Sequence, residues 1–168
     1  AVSRELTALL SNNNAPYNDD QQPLESTTAV ADQRGRDGEE MVARWMQRRL
    51  SSGDDLLLPG LLLSEVSGVE WCNEQTESGL PYDIVLRCLE EDIFVEVKSS
   101  TTESSSFWIS GPEVAWALQH PYFVVHLRRC STQPQASIFR LASELTAGRR
   151  KLLCTQPQPS QEEDDASS

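Results

Sequence analysis

From Gly35 the chain turns helical: in GRDGEEMVARWMQRRL, residues Met41, Val42, Trp45 and Met46 recur at the spacing of one helix face. Acidic residues in the first turn and Arg48 and Arg49 in the last suit the helix dipole, and Ser51, Ser52 and Gly53 predict its end. Glu39 precedes Val42 by three positions and Met46 by seven, which puts it on the edge of the buried stripe, whereas Glu40 lines up with Ala43, Arg44 and Gln47. If one of the two glutamates reaches inward, it is Glu39. The Leu-rich run 56–63 is broken by Pro59 and Gly60 and suits a buried loop or short helix. A β-prone stretch, Val66 to Asn73, predicts a first strand. The segments PYDIVLRC (81–88) and DIFVEVK (92–98) then alternate with period two across the short acidic connection Leu89 to Glu91, and they predict a hairpin.

A turn of even length lets Cys88 face Ile93, which pairs Arg87 with Phe94, Val85 with Glu96, and Asp83 with Lys98. Alternation then gathers Tyr82, Ile84, Leu86, Cys88, Ile93, Val95 and Val97 on one apolar face, which is core. The opposite, polar face carries Asp83, Glu96 and Lys98 within one or two residue steps of each other. A slip of one residue would bury all three charges.

Beyond a Ser/Thr-rich loop, Ser110 and Glu113 form an S-x-x-E capping box with Pro112 in the first turn, so a second helix starts there and ends near His120 and Pro121. YFVVHL (122–127) predicts a strand, and residues 137–153 a weaker strand followed by a short helix or turn. Helix, three strands, helix and strand in this order specify an α/β domain. Residues 1–33 and 154–168 are polar segments with too few large apolar side chains to offset the entropy of ordering, and read as a linker and an acidic tail around a domain at 34–153.

Length and charge refine this picture. A chain of 168 residues suits one domain, and its opening Ala suggests a piece of a larger polypeptide. The net charge of -12 argues against nucleic-acid binding until its distribution is considered, because 1–33 holds one base against five acids and 154–168 holds four acids and no base. The middle is only mildly acidic. The four cysteines form no C-x-x-C pair and the two histidines no zinc spacing, which argues against structural zinc. Without a signal-peptide core or a membrane-length apolar run, the chain reads as soluble, intracellular and thiol-reduced.

Any amphipathic hairpin turns polar groups outward, and Asp beside Lys is also an ordinary cross-strand ion pair. What separates the two readings is the order of further segments: GRDGEE, W-x-N at Trp71 and Asn73, PYDI, FVEVKSS, then F-x-I-S-x-x-E with Ala117 four residues on, then a strand containing Tyr122. This series resembles the PD-(D/E)XK nuclease superfamily and, within it, the NO VEIN C-terminal domain family, over residues 35 to about 130. The resemblance implies a restriction-endonuclease-like mixed sheet flanked by helices. It also implies Mg²⁺ or Mn²⁺ held by Asp83, Glu96 and the Val97 carbonyl, Lys98 positioning a water or stabilising charge on phosphorus, and Glu39 supporting from the helix. Nucleic acid would be the partner and the nucleus a location. A catalytically silent interaction module of a larger regulatory protein is the competing reading.

Five further features have readings of their own. The capping box accounts for Glu113 structurally. Ser99, Ser100 and Thr101 follow Lys98 and either contact phosphate or form a polar loop. Arg128, Arg129, Arg149, Arg150 and Lys151 are solvated element ends or a backbone-contacting track. Trp108 and Trp116 read as core, and His126 as an edge-strand residue.

Overall fold

The computed structural model describes residues 2–12, 27–53, 56–101, 105–128 and 135–152. Its elements are α1 (Val2–Asn12), α2 (Thr27–Ser52), a two-stranded ribbon of β1 (Leu56–Leu58) and β2 (Leu61–Leu62), β3 (Val66–Trp71), β4 (Ile84–Cys88), β5 (Ile93–Ser100), α3 (Gly111–Gln119), β6 (Tyr122–Arg128), β7 (Gln135–Arg140) and α4 (Leu141–Thr146). Strands β3 to β7 form one sheet in sequence order, antiparallel except for the parallel β5–β6 pair. The chain is thus an α/β fold with a five-stranded mixed sheet and flanking helices. A parallel neighbour needs a crossover, and α3 supplies it.

Both faces of the sheet are covered. Val42, Ala43, Trp45 and Met46 of α2, with Leu6 of α1 and Leu58 and Leu61 of the ribbon, pack on Ile84, Leu86, Val95, Val97, Val125 and Leu127. On the other face Ala117 and Leu141 pack with Tyr122 and Val124, joined by Tyr82, Phe94, Phe107 and Trp116. The Pro59–Gly60 break becomes the turn of the ribbon, with Gly60 at φ 80°.

Several expectations require correction. The segment read as a linker begins with α1, whose Leu6 is fully buried, and α2 starts at Thr27, eight residues before Gly35. Leu6, with Leu9 partly buried beside it, joins α1 to the core, and the helix lies against β7. Residues 13–26 and 153–168 lie outside the described residues. The hairpin register is offset by two: Val85 opposes Phe94, and Leu86 opposes Ile93. The connection is longer because Asp92 accepts from the Cys88 amide (3.2 Å) and from Arg87 (2.5 Å), while the Leu89 amide bonds Glu65 of the preceding segment (3.3 Å). An even offset leaves every side chain on its predicted face. Tyr82 is the exception, because regular pairing starts only at Ile84, and its ring joins Phe94 (4.6 Å) and Trp116 (5.5 Å) on the far side. The face expected to be polar lies under α3 and α4, with Val85 and Val124 buried on it.

One close approach sets how α2 seats on the sheet. Gly38 is buried within α2, where a Cβ would stand 2.2 Å from Ser99 Oγ and 3.4 Å from Leu127. Gly38→Ala therefore destabilises the chain by about 1–3 kcal/mol through overpacking. Gly38→Ala/Ser99→Ala returns to wild-type stability or above, since the obstructing hydroxyl is gone and Ala is about 0.5–1 kcal/mol better than Gly inside a helix. Urea denaturation of the two variants checks this, and a double variant as unstable as the single one contradicts it.

Candidate active site

Strand β5 outruns its neighbour. It pairs with β6 from Phe94 to Ser100, but its last ladder pair with β4 is Val95 opposite Ile84. Where β4 peels away, the Asp83 amide donates to the Val95 carbonyl (3.0 Å), and the Asp83 carboxylate takes over the next position by accepting the Val97 N–H at 2.7 Å. Because a strand residue presents its N–H and C=O to the same side, the Val97 carbonyl faces this opening as well. Asp83 is 8 % exposed and Glu96 5 %.

The W-x-N segment after β3 links Asp83 to the helix. Asn73 Nδ2 donates to Asp83 Oδ1 (3.1 Å) and to Glu39 Oε2 (2.9 Å), while Asn73 Oδ1 accepts the Ser78 N–H (2.9 Å). Trp71 Nε1 also donates to Glu39 Oε2 (3.1 Å). Arg36 steadies this segment, its guanidinium 5.6 Å from the Trp71 ring and donating to the Glu74 carbonyl (2.9 Å). Glu39 faces inward as its place on the helix stripe predicts; Glu40 instead pairs with Arg44 on the surface (2.8 Å).

Lys98 lies between two glutamates, 2.6 Å from Glu96 Oε1 and 3.0 Å from Glu113 Oε1. The other Glu113 oxygen accepts the Ser110 N–H (2.7 Å), and Ser110 Oγ accepts the Glu113 N–H (3.3 Å). The capping box is present, yet it is not the whole account of Glu113, because one carboxylate oxygen caps α3 while the other holds the lysine. Tyr122 O–H has two acceptors, the Pro81 carbonyl at 2.9 Å and Glu96 Oε2 at 3.4 Å; with one proton to give, the shorter bond dominates.

Two carboxylates at the Lys98 ammonium and two more joined through Asn73 set four acids against one base. Burial, then Glu96 and Glu39, raise the Asp83 pKa well above the carboxylate range. Burial also raises Glu96, with Lys98 opposing. Burial works against the charge on Lys98, but Glu96 and Glu113 outweigh it and raise its pKa. Glu113 runs the other way: burial raises it, and Lys98 together with the Ser110 amide brings it below the ordinary value.

Sequence reasoning placed Glu39, Asp83, Glu96, Lys98 and Val97, and the fold brings them to one locality. Ser99 does not join them, since its hydroxyl sits under Gly38 on the α2 face. Ser100 and Arg128 are cross-strand partners one step beyond Lys98 and His126, so they follow the lysine on its own face. Arg129 lies outside the described residues. His126 is 1 % exposed rather than an edge residue, because the weak segment at 135–140 forms β7 and closes β6 from the other side. Burial, then Arg128 and Arg150, lower its pKa to about 4. Trp116 is core, stacked on His120 (4.3 Å). Trp108 is 75 % exposed. Asn73, Glu113 and Tyr122 are the members whose roles sequence reasoning missed; W-x-N and S-x-x-E were the available signals.

Fold and site together define an α/β domain with a buried carboxylate and lysine cluster at the break between the central strands of a mixed sheet. Residues 38–139, more than half of the chain, match the family described as Protein NO VEIN, C-terminal, and the chain belongs to that family. No curated protein and no solved structure matches it significantly. No described helix is long and apolar enough to cross a membrane.

The raised carboxylates give the fold a pH signature. A group whose folded pKa lies above its unfolded value favours folding below that unfolded value, near pH 4, and loses this contribution as pH rises through the folded pKa. Thermal stability in metal-free buffer therefore falls as pH is raised from about 5 into the alkaline range. Glu96→Gln flattens that decline, and melting curves of the two proteins across pH check it.

Proposed function

We propose that the domain is a metal-dependent nuclease of the PD-(D/E)XK class that hydrolyses phosphodiester bonds in nucleic acid. The observation that carries this reading is that Asp83, Glu96 and Lys98 are drawn together, largely out of water, at the gap where β4 leaves β5. Hydrophobic packing does not explain a buried group of acids that outnumber their base, and burying charge without full pairing costs several kcal/mol.

The donor set suits Mg²⁺. Among the described residues no three His, Cys, Asp or Glu side chains converge on a single point, so there is no all-protein cage. Mg²⁺ characteristically takes one or two carboxylates and retains waters, and Asp83 and Glu96 with the Val97 carbonyl match that need. The uncompensated charge of the cluster favours such a cation. When bound, the ion would lower the pKa of a coordinated water and neutralise the scissile phosphate. The protein residues would do the rest. Asn73 holds Asp83 in orientation and ties it to Glu39 on α2. Glu113 keeps Lys98 next to Glu96, poised to hold a water by its ammonium or to neutralise charge developing on the phosphate oxygens. Tyr122 anchors the Pro81 carbonyl and so the start of β4, which keeps Asp83 at the gap.

One observation favours a second reading, that of a silent interaction module: Glu96 already has an internal counter-charge in Lys98 at 2.6 Å. Calorimetric titration with Mg²⁺ and Mn²⁺, paired with cleavage of labelled single- and double-stranded DNA and RNA, distinguishes the two. Under the nuclease reading the wild type binds a divalent ion and cleaves. Asp83→Asn and Glu96→Gln then lose metal binding, and Lys98→Ala retains it while losing about 10²–10³-fold in rate. A wild-type chain that neither binds the ions nor cleaves sinks the catalytic reading.

A further inference from the structure

The parallel strands β5 and β6 carry a change of charge along the Lys98 face. Glu96 and Lys98 come first, and one step further toward the carboxyl ends Ser100 opposes Arg128. Arg150, from beyond α4, packs on the same face. Its guanidinium lies 3.9 Å from the Phe139 ring centre and 5.5 Å from that of Phe107, and it donates to the Ser105 carbonyl (3.3 Å). Among the described residues no carboxylate stands within ion-pair distance of Arg150, whereas its neighbour Arg149 is paired with Glu144 at 2.8 Å. A rigidly held guanidinium without an acid is suited to a phosphate.

The loop that receives Arg150 also carries Trp108. The neighbours of this residue face inward: Phe107 contacts His126 (5.0 Å) and Ile109 joins the cluster under α3. Alternation in extended chain turns the indole outward, where it is 75 % exposed. Two residues later Ser110 is bonded to Glu113, whose other oxygen holds Lys98. A large, exposed aromatic surface therefore lies two residues from the Ser110 that is tied through Glu113 to Lys98, on the same loop whose Ser105 carbonyl receives the Arg150 guanidinium.

We infer that the loop 105–110, with Arg150, is a binding platform for single-stranded nucleic acid, on which Trp108 stacks a base and Arg150 holds an adjacent phosphate. An unpaired base offers its π-face to an indole, while in a duplex that face is covered by its neighbours. This inference rests on the nuclease reading for its purpose, not for its measurement.

Fluorescence anisotropy with a fluorescein-labelled 12-residue oligothymidylate, against a blunt DNA duplex of equal length, tests it with the whole chain in EDTA at low fixed salt. The wild type is expected to bind the single strand more tightly than the duplex. Trp108→Ala and Arg150→Gln each weaken the single-strand Kd by about fivefold or more, and Trp108→Phe largely retains it. Circular dichroism confirms that Arg150→Gln is folded, and the exposed Trp108 variants carry the test if it is not. The inference is overturned if the wild type binds neither probe, prefers the duplex, or is unaffected by Trp108→Ala. Because no metal is present, binding without any later cleavage leaves the platform standing and ends the catalytic reading alone. Cleavage with an unaffected Trp108→Ala variant does the opposite.

Discussion

The hydrogen bond from the Val97 amide to the Asp83 carboxylate is the interaction on which the site depends. A strand amide left unpaired under packed helices would carry a desolvation cost of about 1–3 kcal/mol. The carboxylate removes that cost and marks where the ladder between β4 and β5 ends. Everything nearby follows from that ending. The chain entering β4 leaves the sheet plane at Pro81 and Tyr82, Tyr122 ties the Pro81 carbonyl from below, and the space beside β5 is filled by polar groups of Asn73, Glu39 and Glu96 rather than by another strand.

The cluster is held at a cost in stability. Asp83 and Glu96 would be more comfortable as apolar residues in a sheet covered on both faces, since two buried carboxylates next to Glu39 and Glu113 are only partly offset by Lys98. The fold tolerates this because each of the four carboxylates accepts from at least one donor: backbone amides from Val97 and Ser110, side-chain amide from Asn73, indole from Trp71 and the ammonium of Lys98. Such a connected polar network holds its members in fixed mutual orientation. Glu113 illustrates the economy of the arrangement. Its capping oxygen fixes the start of α3 and its second oxygen fixes Lys98, so the helix crossover and the lysine rotamer are set by one side chain.

Much of this was legible from local pattern. Period-two alternation assigned Ile84, Leu86, Val95 and Val97 to the core and Asp83, Glu96 and Lys98 to the other face, and helical spacing chose Glu39 over Glu40. These inferences survive because side-chain direction is a local property of the backbone, and a register offset of two residues does not alter it. Pairings across the sheet fared worse. Val85 opposes Phe94 and not Glu96, since the hairpin connection is lengthened by the bonds of Asp92 to Arg87 and Cys88 within it and by the bond of Leu89 to Glu65 of the preceding segment.

By itself the sequence determined the alternation of helices and strands, the face each strand residue takes, the capping box at Ser110 and the acidic and basic residue types available to the site. Only the tertiary structure decided that the face expected to be wet is roofed by α3 and α4, that β7 buries His126, that α1 joins the core through Leu6, and that Trp108 rather than Trp116 is left in solvent. The physical reason is that periodicity states which residues share a side, whereas burial depends on what packs against that side. That partner comes from segments distant in the chain, whose contacts no local pattern encodes.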